Sequence, residues 1–185
     1  GRGGGAGWAL GAGSMLWAMT TKSGIRVVCF DLGGVVVRIC RTWAEACARA
    51  GLDVREPERF ASVELLKARH DLADSYMSGK IGCDAFFAGI AAATGGLYTP
   101  DEIQRIHDVW VIEDEPGVGE LIDRLNGIDS LVTACLSNTN HAHWQKLIAG
   151  PEASPAIAKL QRTLVSHEMG AVKPDQAIYV AAEEL

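Results

Sequence analysis

Two short apolar runs lie far apart in this chain and constrain its fold more than any other feature. The first, Ile25-Arg26-Val27-Val28-Cys29-Phe30, breaks into Asp31-Leu32-Gly33-Gly34. The second, Ser130-Leu131-Val132-Thr133-Ala134-Cys135-Leu136, breaks into Ser137-Asn138-Thr139-Asn140. Both are rich in β-branched residues and neither alternates apolar with polar. That pattern suits strands buried on both faces of a parallel sheet. Between them the helix signals dominate. Thr42-Trp43-Ala44-Glu45 has the form of a capping box, with Gly51 closing a short helix. Residues 57–76 and 83–94 have helical composition, and Thr99-Pro100-Asp101-Glu102 is a strong helix start. No strand is expected between Thr42 and Val111.

After this helical stretch, Pro116 opens a helix over Gly117–Leu125, and another is expected over His141–Ile148. Leu164-Val165-Ser166 has the character of a short strand, and Pro174 is expected to start the last helix. Strands alternating with helices imply a parallel sheet with right-handed crossovers. In such sheets, sites form where loops leave the carboxyl ends of strands, which is where Asp31 and Ser137 fall. The expected fold class is therefore α/β: a Rossmann-like parallel sheet core, residues 25–40 and 112–185, with an inserted all-helical cap, residues 41–111.

Composition narrows the function classes. A chain of 185 residues with 48% hydrophobic and 22% charged residues can bury a core without staples. A formal net charge of −6 argues against nucleic-acid binding through a global basic surface. No apolar run reaches the ~18 residues of a membrane span. The five cysteines form no C-x-x-C pair, which fits free thiols in a reducing cytoplasmic setting better than a zinc or disulfide framework. Residues 1–24 hold 8 of the 21 glycines and are expected to form a flexible leader outside the fold.

Asp31 follows a strand and precedes a glycine turn, where a carboxylate can be a nucleophile, a metal ligand or a cap. Ser137-Asn138 offers a hydroxyl and backbone N–H groups at the second strand end, and Lys173-Pro174 offers a cation at a helix start. The Glu113-Asp114-Glu115 run is expected to be a hinge or helix-start cluster. Arg38 and Arg41, just past the first strand, are either anion contacts in the cleft or surface charges. Trp43, Trp110 and Trp144 are expected to pack, with Trp43 able to face the cleft.

Together these segments resemble the haloacid dehalogenase-like hydrolase superfamily. Its first motif is matched by Val27-Val28-Cys29-Phe30-Asp31-Leu32-Gly33-Gly34-Val35, and its second by Cys135-Leu136-Ser137-Asn138-Thr139-Asn140. Its third is matched by Ser166-His167-Glu168-Met169-Gly170-Ala171-Val172-Lys173-Pro174-Asp175. Tyr76-Met77-Ser78-Gly79-Lys80-Ile81 with Phe86 resembles the cap of the branch containing sugar-phosphate phosphatases and the phosphatase domain of soluble epoxide hydrolase.

The resemblance implies a Mg²⁺-dependent phosphatase of a small, sugar phosphate-like metabolite, working through an aspartyl-phosphate. It implies Asp31 as nucleophile, Ser137 as a phosphoryl hydrogen-bond donor and Lys173 as the neutralising cation. Substrate contacts are implied from Leu32, Gly33 and Gly34 backbone and from Asn138, and Mg²⁺ ligation from the Asp31 carboxylate and the Gly33 carbonyl. No nucleic-acid or membrane partner is implied.

Two departures stand out. The family's phosphatases usually carry a second aspartate, the general acid and base, where this chain has Gly33. His141, His143 or a cap residue could take that role. The family's fourth motif, an acidic pair after a further strand, is not matched, since Glu183-Glu184-Leu185 falls in the helix after the third; the core is thus expected to be incomplete at its C-terminal side, with an exposed sheet edge. A 2-haloacid dehalogenase also lacks the second aspartate, though that branch carries an aromatic and Gly-Thr in its first motif. A truncated, non-catalytic domain is the third alternative.

Overall fold

A computed structural model describes residues 24–183. The expected leader, apart from Gly24, and the Glu184-Leu185 end of the last acidic pair lie outside the described residues. The first apolar run forms β1 (Val27–Phe30) and the second forms β4 (Val132–Ser137). They pair in parallel, with Phe30 opposite Cys135. β4 also pairs in parallel with β5 (Arg162–Val165), Ser137 facing Val165. The order β1-β4-β5 makes β4 central and its interior positions fully buried. Among the described residues β1 pairs on one side only and no residue in it is buried; Val27 and Cys29 are exposed, so the burial on both faces expected of the first run is met by β4 and not by β1.

Two further strands escape the sequence reading. Val37–Ile39 (β2) and Val111–Asp114 (β3) form an antiparallel ribbon, with Arg38 opposite Glu113 and a register shift next to Ile39. The acidic run thus lies mostly in β3 and is no helix start. Arg38 pairs with Glu113 at 2.6 Å on the surface, which places this arginine outside the cleft. Asp114 accepts from the Ser154 hydroxyl and from Ala156 N–H at 2.8 Å, so its charge is spent on a turn.

The chain leaves and re-enters the sheet layer through this ribbon. Between its strands lie α1 (Trp43–Arg49), α2 (Pro57–Phe60), α3 (Val63–Met77), α4 (Cys83–Ala93) and α5 (Pro100–Asp108). These helices share a core of their own, including Phe60, Leu65, Phe87, Tyr98, Ile103 and Ile106. The sheet side has a separate core that includes Leu32, Val36, Cys135, Trp144, Ile157 and Val165. Two apolar clusters of this kind give the helical lobe and the sheet layer independent packing. α6 (Val118–Asn126) and α7 (His141–Ile148) cover the sheet, followed by a single 3₁₀ turn at Ile157–Lys159, α8 (Ser166–Met169) and α9 (Gln176–Glu183).

Local chemistry explains the helix starts. Thr99 caps α5 with a complete capping box: its Oγ1 accepts from Glu102 N–H and its own N–H donates to Glu102 Oε2 at 2.9 Å. The Thr42 box is only half formed. Thr42 Oγ1 accepts from Glu45 N–H, but the Glu45 carboxylate takes the N–H of Arg41, one residue too early. Pro174 does not begin the last helix; it sits in the turn before α9, which starts at Gln176.

Glu102 carries a second load. Arg55 grips it with both guanidinium nitrogens, at 2.7 and 2.5 Å. The Arg55 contact first, and the Thr99 N–H second, hold the Glu102 carboxyl down at about 2. A carboxyl depressed by folding stabilises above its unfolded value and loses that contribution as pH falls through the folded one. Glu102→Gln is therefore expected to destabilise the protein near neutral pH. The gap between wild type and variant in urea denaturation should close as pH drops from about 4.5 towards about 2.

Candidate active site

Asp31 sits directly after β1 and Ser137 ends β4, so the parallel register sets both at the same edge of the sheet. Lys173 reaches them from the segment after α8. Its ammonium lies 3.0 Å from Asp31 Oδ1 and donates to the Leu136 carbonyl at 2.8 Å. Asp31 Oδ1 also accepts from its own neighbour's N–H, Leu32, at 2.8 Å. One carboxylate oxygen is thus held and the other, Oδ2, is left open on a half-exposed side chain. Ser137 is almost fully buried, and its hydroxyl has no hydrogen-bond partner among the described residues.

Asn138 behaves differently from a substrate contact. Its Oδ1 accepts from Lys173 N–H at 2.7 Å and its Nδ2 donates to the Lys173 carbonyl at 2.9 Å. Both ends of the amide are occupied in clamping the backbone that carries the ammonium. The glycine turn differs too. Val36 and Val37 N–H both donate to the Leu32 carbonyl, closing a tight loop, and Gly34 N–H donates to the Val37 carbonyl at 2.7 Å. Gly34 N–H is therefore committed, and of Leu32, Gly33 and Gly34 only Gly33 offers an N–H without an acceptor among the described residues.

Gly34 is needed for another reason. Its φ of +78° disfavours any side chain, and a Cβ would come within 2.8 Å of the Arg41 guanidinium. Arg41 lies across the nucleophile loop with no ion-pair partner among the described residues.

A cavity of about 380 Å³ adjoins this group. Leu32, Gly33, Ser137, Asn138, Thr139 and Asn140 form its sheet-side wall. Trp43, Arg69, Tyr76, Phe86 and Trp110 are among the residues that form the helical-lobe side. Trp43 and Trp110 therefore face the cleft, whereas Trp144 packs in the sheet-side core. The two layers are pinned together at Ser166. Its hydroxyl accepts from Thr139 N–H at 2.9 Å and lies 2.6 Å from the Met77 carbonyl at the end of α3. Gly79 allows this approach: with φ +72°, a Cβ there would stand 2.5 Å from the His167 carbonyl.

His107 of α5 and His143 of α7 stack across the same seam, ring centroids 3.7 Å apart and 10° from parallel. His143 is spent structurally: Asn140 Nδ2 lies 3.2 Å from Nδ1, and Nε2 lies 2.9 Å from the His107 carbonyl. That pairing requires the Nε2–H tautomer and leaves no ring nitrogen for substrate. Burial, above all, pushes His143 down to about 4 and His107 well below its usual value. His107 has no hydrogen bond at either ring nitrogen and sits among Tyr76, Phe86 and Phe87. His141 is exposed, at the first turn of α7.

A histidine depressed by folding withholds stability on the acid side: the unfolded chain binds the proton more readily between the folded and unfolded values. Stability should fall as pH drops from about 6.5 towards about 4. Replacing an orphaned polar ring by an apolar one of similar shape is nearly neutral or stabilising. His107→Phe is thus expected to match or exceed wild-type stability at pH 7, and to flatten the decline in melting temperature between pH 7 and pH 5.

The pieces that sequence reasoning missed are Arg69, Thr139, Asn140 and Ser166. Arg69, Ala73, Tyr76 and Met77 are spaced as one helical face, a signal present in the sequence; the Ser166 bridge, which spans 89 residues to Met77, has none.

The chain's architecture has solved counterparts. It matches a HAD family enzyme from Bacteroides thetaiotaomicron, in complex with magnesium and inorganic phosphate, at 23% identity and TM-score 0.61 over 87% of this chain and 78% of that one. A predicted HAD-like family hydrolase from Porphyromonas gingivalis matches at 20% identity and TM-score 0.62, covering 88% and 76%. The L-2-haloacid dehalogenase from Xanthobacter autotrophicus matches at 19% identity and TM-score 0.54, covering 87% and 64%. No family model and no curated protein matches the chain. Among the described residues no helix is long and apolar enough to cross a membrane. A parallel β1-β4-β5 core, a helical lobe entered through a ribbon after the first strand, and these three likenesses together give the chain the haloacid dehalogenase-like fold.

Proposed function

We propose that this protein hydrolyses a small phosphomonoester, with Asp31 as nucleophile. One observation carries the reading: the Lys173 ammonium stands 3.0 Å from the Asp31 carboxylate at the sheet edge where Ser137 faces the cavity. An anion attacking an anion needs fixed positive charge, and Lys173 supplies it without a solvent rearrangement. With Oδ1 held by Lys173 and Leu32 N–H, Oδ2 attacks phosphorus, the bond from phosphorus to the ester oxygen breaks, and the departing alkoxide takes a proton from water. The Ser137 hydroxyl and Gly33 N–H donate to phosphoryl oxygens. Water then cleaves the aspartyl-phosphate. Asn138 acts on Lys173, as a positioning residue.

The Asp31 carboxylate and the Gly33 carbonyl are hard oxygen donors, and they fit Mg²⁺ as a partial set. Mg²⁺ is commonly held by one or two carboxylates, with water and substrate phosphate completing the shell. Among the described residues no group of three or more His, Cys, Asp or Glu side chains stands together. When bound, Mg²⁺ neutralises charge on the phosphoryl group.

A 2-haloacid dehalogenase is the second reading. It is favoured by Gly33, where a second carboxylate would stand, and by the likeness to the Xanthobacter enzyme. Hydrolysis of an aryl phosphate and halide release from 2-chloropropionate, each with Mg²⁺ and with chelator, separate the two. Mg²⁺-dependent phosphate release supports the phosphatase; chelator-insensitive halide release replaces it with the dehalogenase. Neither activity would leave the fold and remove both readings.

A further inference from the structure

Among the described residues Arg69 is the one Lys or Arg in the cavity lining. It projects from α3 on the face it shares with Ala73, Tyr76 and Met77. Its guanidinium carbon lies 4.8 Å from the ring centroid of Trp43 and 4.2 Å from that of Phe60, so two stacked aromatic rings hold it in place. Arg38, Arg55 and Arg59 each have a carboxylate partner. Among the described residues Arg69 has none, and none of its five N–H donors meets an acceptor. Burial, opposed by the Cys47 thiol, pulls its pKa below the ordinary arginine value, yet a guanidinium stays charged at neutral pH.

A half-buried, stacked cation without a counter-charge is held in place but electrostatically unsatisfied. Aromatic and aliphatic walls around it, such as Phe86, Ile90 and Trp110, offer no internal anion. The sheet-side wall of the same cavity carries Ser137 and Gly33 beside the nucleophile. At about 380 Å³ the cavity falls within the roughly 300–1,000 Å³ typical of small-molecule sites, room for a three-carbon phosphorylated acid.

We propose that Arg69 anchors a second anion subsite, so that the substrate is a phosphomonoester whose organic part carries a further carboxylate or phosphate. This rests on the phosphatase reading for the position of the first phosphate. The planar fork suits either oxyanion and discriminates against a neutral tail.

The test is calorimetric binding to the Asp31→Asn protein, which does not turn ligands over. The ligands are glycerol 3-phosphate, 3-phosphoglycerate and glycerol 1,3-bisphosphate. The first two differ only in a hydroxymethyl against a carboxylate; the third tells a second phosphate from a carboxylate. The better of the two ligands with an anionic tail should bind at least about tenfold tighter than glycerol 3-phosphate (about 1.4 kcal/mol). That ratio should collapse to near one with Arg69→Met and survive in part with Arg69→Lys. The surface variant Arg38→Met should leave it unchanged. Taking the ratio within each variant cancels a general loss of folding, and Arg69→Gln carries the same expectation should Arg69→Met unfold.

Equal affinities in the parent, no binding of any ligand, or a ratio that survives Arg69→Met would each overturn the subsite. A ratio that depends on Arg69 while the Asp31 protein releases no phosphate would uphold the subsite and sink the phosphatase reading instead.

Discussion

Asp31→Asn is expected to lower phosphomonoester turnover by about 10³-fold or more, because an amide oxygen cannot attack phosphorus as a carboxylate does. The variant should remain folded. Asp31 is half-exposed, asparagine has the same shape, and its Oδ1 still accepts from Leu32 N–H. The lost attraction to Lys173 is partly screened by solvent, so stability should change by about 1 kcal/mol or less. Single-turnover release of phosphate checks the first expectation and urea denaturation the second. A variant that keeps its fold and most of its turnover would remove Asp31 from the chemistry.

Lys173→Met should follow with a loss of about 10²–10³-fold, falling on kcat rather than KM. The ammonium sits where negative charge builds up between Asp31 and the phosphoryl group, so its contribution is larger in the transition state than in the bound substrate. Lys173→Arg should restore little. The native ammonium is fitted between Asp31 Oδ1 and the Leu136 carbonyl, and a planar fork cannot meet both contacts at 3.0 and 2.8 Å. Asn138→Ala is the informative comparison: it leaves the charge in place but releases the backbone that carries it, and should lie between wild type and Lys173→Met. Steady-state kinetics on one aryl phosphate rank all three.

Much of this architecture is legible in the residues. The run at Val132–Ser137 is apolar on both faces because β4 is central and pairs in parallel on each side, so no alternation is needed; β1 pairs on one side only and leaves Val27 and Cys29 exposed. Asp31 and Ser137 follow from that, since strand ends in a parallel sheet share one edge. Thr99 and Glu102 announce α5 through contacts within one turn of helix. The β2–β3 ribbon is not legible. Val37-Arg38-Ile39 is too short for a periodicity, Val111–Asp114 ends in acids, and each strand exists through pairing with a segment far along the chain.

Within the site, the available chemical groups can be read from the residues: Asp31, Ser137, Lys173 and a glycine turn, at the ends of recognisable elements. What each of them contacts depends on long-range packing. Asn138 is turned onto the Lys173 backbone, Gly34 N–H onto the Val37 carbonyl, and His143 onto Asn140 and the His107 carbonyl. Among the described residues Arg69 is left without a counter-charge, in a cavity built from both layers. The physical reason is range. Strand burial, capping and turn chemistry act over a few neighbouring residues. The satisfaction of a buried donor or charge depends on whichever distant backbone or side chain the fold brings to it.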